Sequence, residues 1–270
     1  MVEQLIRNQQ VRGSNPRAGS RKWREVPIKS GTGRYLAAGV CLALVALLAV
    51  GAGLVRPVRG AQPVIIRAGE HERHAVAITF DDGPSPSYTP KILSLLKQYQ
   101  AHATFFVLGR KVEKYPGLIK TMLRAGHEVG NHTFDHPYLT KTDQLTREQE
   151  IETTGLDLDL VGCPQKDRLL RPPYSAFDKR LVSYLDHTHK HLVLWSIDSG
   201  DWQGLDAATI VNNVLSRVQN GSIIIFHDSD EKDRADRSPT VAALKVILPA
   251  LRAAGYQLLT VSELIHGKKP

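Results

Sequence analysis

Cysteine is nearly absent: the 270 residues contain only Cys41 and Cys163, too few for a disulfide framework to support the fold. Internal repeats with a period of roughly 20–50 residues are missing, as is any GxSxG turn that would present a nucleophilic serine. Most of the chain also lacks an excess of charge of either sign. The formal charge of +8 and pI near 9.5 point at first to a nucleic-acid binder, but residues 1–34 hold eight Lys/Arg against Glu3 and Glu25 and account for +6 of it. The remaining 236 residues carry 27 basic and 25 acidic side chains, so no basic patch is evident and nucleic acid is not expected as a partner. A hydrophobic content of 42% excludes a disordered chain.

One long apolar run is present. Tyr35–Val55 is 21 residues without a charge, enough to cross a hydrocarbon core of ~30 Å at ~1.5 Å per residue. The basic flank before it places the N-terminus in the cytoplasm and residues 56–270 outside. The segment is read as a transmembrane anchor or as a signal segment cleaved near Val50-Gly51-Ala52. Cys41 lies within it, which leaves Cys163 without an intrachain partner outside. Residues 1–34 read as a basic cytoplasmic tail. As an alternative, Gly13-Ser14-Asn15-Pro16-Arg17 matches a translation of GGU-UCG-AAU-CCC-CGN, similar to the T-arm of a transfer-RNA gene, so that synthesis would begin later, for instance at Val26. Residues 56–72 read as a linker.

From Ala75 onward, short apolar runs alternate with amphipathic stretches. Strands are expected at Ala75–Phe80, Ala103–Leu108, His127–Asn131, Leu169–Arg171, Leu192–Ile197, Ser222–Phe226 and Gln257–Val261. Helices are expected at Pro90–Gln100, Pro116–Ala125, Thr146–Val161, Asp206–Val218 and Thr240–Ala254. This rhythm predicts an α/β fold with parallel strands and crossover helices, either a barrel or an open doubly wound sheet. In both architectures the chemistry collects at the carboxyl ends of the strands.

The polar residues fall at those ends. Asp81-Asp82 closes the first strand, and two adjacent carboxylates repel unless a cation or proton intervenes. His132-Thr-Phe-Asp-His136 places two imidazoles four apart, which is one face of a helical turn. Two histidines and one carboxylate make the donor set of a catalytic divalent-metal site, leaving the second aspartate free as a general base. Arg171 is positioned to hold that free aspartate through a bidentate contact. Asp198 or Asp201 could orient His227, a candidate proton donor.

Thr79-Phe80-Asp81-Asp82-Gly83-Pro84, His132-Thr-Phe-Asp-His136, Arg171-Pro-Pro-Tyr174, Asp198-Ser-Gly-Asp201-Trp202 and Ile225-Phe226-His227 occur in this order. Together they closely resemble the five motifs of the polysaccharide deacetylases with a NodB homology domain, carbohydrate esterase family four, over residues 73–265. The resemblance implies an irregular (β/α) barrel of about seven strands. It implies Asp82, His132 and His136 as ligands of a divalent metal, zinc first with cobalt or another divalent ion as alternatives, and Asp81 as general base held by Arg171. It further implies His227 as general acid oriented by Asp201, Trp202 and Ile225 lining the acetyl pocket, and the Tyr174 backbone N–H in the oxyanion hole.

The expected activity is removal of N-acetyl groups from N-acetylglucosamine of a cell-wall polysaccharide, peptidoglycan first, by a monomer at the outer face of a bacterial membrane or secreted. Chitooligosaccharide deacetylation and acetylxylan O-esterase activity are the alternatives, followed by a non-catalytic carbohydrate-binding homologue. Ser229–Arg237 is longer than the family pattern leads one to expect and reads as a solvated insertion or as a rim loop restricting access.

Overall fold

The computed structural model describes residues 65–163 and 168–266, all of them within one compact unit, Arg59–Pro270. The basic tail, the apolar segment and the start of the linker lie outside the described residues. Among the described residues no helix is long and apolar enough to cross a membrane.

Among the described residues nine strands form one sheet: β1 (Ile65–Ile66), β2 (Ala75–Gly83), β3 (Ala103–Val107), β4 (Glu128–Asn131), β5 (Leu169–Leu170), β6 (His191–Val193), β7 (Ile197–Asp198), β8 (Ile223–His227) and β9 (Gln257–Leu259). Their order is β1-β6-β5-β4-β3-β2-β8-β7, with β9 added beside β2. Every strand pairing is parallel. The crossovers carry α1 (Thr89–Gln98), α2 (Gly109–Lys114), α3 (Pro116–Arg124), α4 (Gln144–Leu160), α5 (Lys179–His187), α6 (Ala207–Leu215) and α7 (Ser238–Ala253), and α8 (Val261–His266) follows β9. Proline opens α1, α3 and α7, where its missing N–H costs nothing. Asp143, Asp178 and Asp206 cap α4, α5 and α6 by accepting from Thr146, Leu181 and Thr209 N–H, each worth about 1 kcal/mol.

The sheet curls toward closure without pairing its two end strands. The sequence reading made Leu192–Ile197 one strand, but it is two: β6 pairs with β1 and β5, whereas β7 pairs with β8 at the opposite end of the order. Only Leu194–Ser196 joins them, a stretch spanning at most about 14 Å. The strand breaks because successive residues are claimed by different neighbours. Leu194 N–H donates to Ile66 O (2.8 Å) and Ser196 N–H to Ile223 O (3.0 Å), while the Val193 and Leu194 carbonyls accept from the Arg171 side chain. An antiparallel bridge from Ala68 to Ser222 ties the same seam. The result is an irregular, incompletely closed (β/α) barrel. It begins before residue 73, since β1 and the bridge at Ala68 fall in the stretch read as linker. The last expected strand also shortens, because Val261 opens α8.

Alternation along β2 and β8 separates two cores. Val76, Ile78, Phe80, Ile224 and Phe226 pack with Ile92, Leu96, Met122, Ile210 and Leu244 of the outer helices. Ala75, Ala77 and Ile223 face the other way and meet Phe106, Leu169, Val193 and Leu259, with Val261 and Leu264 of α8 closing that end. Polar residues replace apolar ones on this inner face toward the carboxyl ends, where Thr79 is paired with Ile225 and Asp81 with His227.

Candidate active site

Asp81 and His227 occupy one level of neighbouring parallel strands, so both side chains enter the barrel mouth together. Arg171, fully buried just beyond β5, donates through Nη1 to Asp81 Oδ1 (2.7 Å) and Thr79 Oγ1 (2.8 Å). Its Nη2 and Nε reach the Leu194 and Val193 carbonyls, and its guanidinium lies 4.1 Å over the Phe106 ring. The contact to Asp81 is therefore single and not the bidentate one anticipated, because the rest of the fork is spent on the barrel seam. Burial pulls the Arg171 pKa down, opposed by Asp81.

Asp82 should point away from Asp81 by strand alternation. It does not, because a register shift between Asp81 and Gly83 and a left-handed φ of 70° at Asp82 turn the second carboxylate into the same mouth. The neighbouring turn leaves no room at Gly83, where a Cβ would collide with the Asp228 carboxylate. Asp228 is fully buried, accepts from Thr89 Oγ1, and is pushed up to about 7 by burial. Thr89 Oγ1 in turn accepts from Ser85 N–H (2.7 Å). Asp228, adjacent to His227 in sequence, thus braces the Asp-Asp-Gly-Pro turn and was not anticipated in that role.

The two histidines of the HxxxH stretch do not lie on a helical turn. Thr133 and His136 have φ of 71° and 67°, and the loop is held by side chains. Asn131 Oδ1 accepts from Thr133 N–H, Thr133 Oγ1 from His136 N–H, and Glu150 Oε2 from the N–H groups of Phe134 and Asp135. His132 Nε2 and His136 Nε2 stand 3.4 and 3.3 Å from the same atom, Asp82 Oδ1. That oxygen is buried and has no hydrogen-bond partner. His132 Nδ1 donates to the Arg171 carbonyl (2.7 Å), which in a neutral imidazole leaves the Nε2 lone pair facing the carboxylate. Burial, with His132 beside it, pushes His136 down to about 4, toward the neutral form that ligates metals. Burial resists ionisation of Asp82, but the neighbouring imidazoles of His132, His227 and His136 outweigh it and hold the carboxyl well below its ordinary range. Three donors within 4.8 Å of one another, with lone pairs converging on one point, fit a divalent cation.

Spacing left Asp198 and Asp201 as alternatives, and only Asp201 reaches the imidazole. Its Oδ1 lies 2.8 Å from His227 Nδ1, and its Oδ2 accepts from His227 N–H and Thr240 Oγ1, both at 2.8 Å. Asp198 instead accepts from Gly200 N–H (2.8 Å) and Trp202 Nε1 (3.4 Å). Burial alone would lower the His227 pKa, yet Asp201, through its charge and hydrogen bond, raises it to about 9. Ile225 is buried on the inner face between Thr79 and Asp198. Tyr174, with φ of 58°, sits edge-on to the His136 ring at 4.6 Å and stacks on Tyr138 at 3.8 Å. Trp202 is exposed at the rim.

The stretch from Ser229 to Arg237 is fastened to the barrel, while Lys232, Asp233, Arg234 and Asp236 within it are exposed. Buried Lys111 donates to Ser229 Oγ (2.7 Å), Asp230 O (2.6 Å) and Asp233 Oδ1 (2.5 Å). Buried Arg237 donates to Ser229 O (2.8 Å) and Asp201 O (3.0 Å). Lys111 and Arg237 carry no motif, and only their burial identifies them as fasteners.

The profile of the polysaccharide deacetylase family matches residues 68–198. A peptidoglycan-N-acetylglucosamine deacetylase of Bacillus cereus is 40% identical over 197 residues, 72% of this chain and 89% of that one. A chitooligosaccharide deacetylase of Azorhizobium caulinodans is 35% identical over 191 residues, covering 68% and 91%. The crystal structure of the Bc1960 peptidoglycan N-acetylglucosamine deacetylase superposes with a TM-score of 0.72 at 34% identity, covering 76% of this chain and 94% of that one.

Proposed function

The chain belongs to the polysaccharide deacetylase family and is an enzyme that deacetylates cell-wall polysaccharide, and from this we propose that it hydrolyses the N-acetyl groups of N-acetylglucosamine in peptidoglycan, with a divalent ion, zinc foremost, held by Asp82, His132 and His136. The observation that carries the reading is the buried, unpartnered Asp82 Oδ1 facing two imidazole nitrogens beside a separately held Asp81. When bound, such an ion supplies Lewis acidity to an acyl oxygen and acidifies water.

The protein's own groups divide the proton work. Asp81 has one oxygen occupied by Arg171, and its Oδ2 is left to take the proton of the attacking water. A carboxylate held by a buried guanidinium keeps one orientation. His227 is protonated over most of the pH range through Asp201, and it delivers its proton to the departing amine, which would otherwise leave as a strong base. No covalent intermediate is needed. The Tyr174 backbone N–H contributes to the oxyanion hole, and Ile225 and Trp202 line the pocket of the acetyl methyl. The catalytic domain works outside the cytoplasm, anchored or released at residues 35–55.

The test is acetate release by the purified chain from peptidoglycan, chitooligosaccharide and acetylxylan, with and without chelator. Peptidoglycan should give the fastest release, and chelator should abolish it. Preference for chitooligosaccharide would move the substrate assignment to that of the Azorhizobium relative, and chelator-resistant turnover would remove the ion from the mechanism.

A further inference from the structure

The two histidines at the ion site are supported unequally. His132 has a partner behind its ring, the Arg171 carbonyl at 2.7 Å from Nδ1. His136 has none at hydrogen-bond distance, although its Nδ1 is buried. With Nε2 turned to Asp82, the neutral imidazole carries its proton on Nδ1, a donor that needs an acceptor. The ring is carried on a left-handed residue in an irregular loop, with the Tyr174 and His132 rings packed on it, so regular backbone does not set its orientation.

Glu231 faces this nitrogen. Its Oε2 lies 3.6 Å from His136 Nδ1, about 0.7 Å beyond the ~2.9 Å of a charge-assisted hydrogen bond. It is carried there by the fastened strap. Arg110 donates to the Glu231 carbonyl and, through Nη1, to Asp135 Oδ1 (3.2 Å), the residue before His136. Lys111 and Arg237 secure the strap on either side of Glu231. Lys232 Nζ, at 3.2 Å, engages the other carboxylate oxygen, leaving Oε2 toward the imidazole.

We propose that Glu231 is the positioning carboxylate of His136, and that the strap exists to present it. It orients the ring and raises the basicity of Nε2 toward the ion. This rests on the assignment of Asp82, His132 and His136 as the ion site. A carboxylate behind a ligating histidine typically contributes about 10–100-fold in metal affinity, and the gain falls on the ligand whose backbone is least constrained.

The test is zinc affinity of the full-length protein after chelator stripping, by competition with a chromophoric chelator. Glu231→Ala should weaken binding about 10–100-fold, with the apo melting temperature unchanged. Glu231→Gln, whose amide oxygen accepts the same bond without the charge, should recover part of the loss. Cobalt-substituted Glu231→Ala should also show an altered ligand-field spectrum, which a merely structural loop contact would not produce. Zinc affinity of Glu231→Ala and Glu231→Gln within about twofold of wild type overturns the proposal while leaving the ion site standing. If wild type takes up no zinc that Asp82→Ala abolishes, the ion-site assignment falls and this proposal with it.

Discussion

The two halves of the site share the Asp81-Asp82 pair and are held in opposite ways. Asp81 and His227 sit on adjacent strands at one register level, and each is pinned by a buried partner, Arg171 or Asp201. Asp82, His132 and His136 lie where regular structure ends, two of them at positive φ, and their loops are fixed by Asn131, Thr133, Glu150 and Asp228. The proton-transfer half is part of the barrel wall and its stability is shared with the core. The ion half is a strand end and a loop whose donors converge with repulsive lone pairs, an arrangement that a cation would relieve.

If that contrast holds, substitutions in the wall should damage stability and activity together, whereas those in the loops should damage ion binding first. The largest combined effect is expected for Asp81→Asn. Acetate release should fall ~10²–10⁴-fold, and removing the charge opposite a fully buried guanidinium should cost roughly 3–5 kcal/mol in a urea titration. Zinc uptake should persist, and its loss would erase the division between the halves. His132→Ala should do the reverse, eliminating bound metal by elemental analysis and with it the activity, while the cost to folding stays below that of Asp81→Asn.

Asp201→Asn sharpens the wall side through pH. The His227 pKa is raised to about 9, so the protonated acid survives below that pH and is lost above it. Without the Asp201 charge, burial dominates and the alkaline limb of the rate profile should move to lower pH by ~1 unit or more. An unmoved limb would mean that His227 is not the acid.

Gly83→Ala probes the brace behind the loop half. The added methyl group displaces the Asp228 carboxylate, and overpacking of this kind costs about 1–3 kcal/mol, measured by thermal unfolding. Zinc affinity should drop with it, because Asp82 is the preceding residue. The smallest effect is expected for Trp202→Ala. This exposed side chain should alter stability by no more than ~0.5 kcal/mol and be seen mainly as a higher KM for glycan substrates.

What the sequence determined by itself is the parallel α/β rhythm, the carboxyl-end location of the chemistry, and the residue types of the donor set. These follow from local periodicity and from chemistry that admits few residue types, so the five ordered motifs expose them. Tertiary structure alone decided the rest. It split residues 192–197 between the two ends of the sheet, because Leu194 and Ser196 bond to strands distant in sequence. It brought to the imidazole Asp201, which the motif resemblance implied and spacing alone left open beside Asp198, limited Arg171 to a single contact with Asp81, and turned Asp82 into the mouth against strand alternation. It also fastened the charged stretch after His227 as a strap, through the burial of Lys111 and Arg237. In each case the deciding partner lies far along the chain or the backbone adopts a left-handed turn. Neither leaves a periodic trace, because both are set by packing that exists only once the barrel has closed.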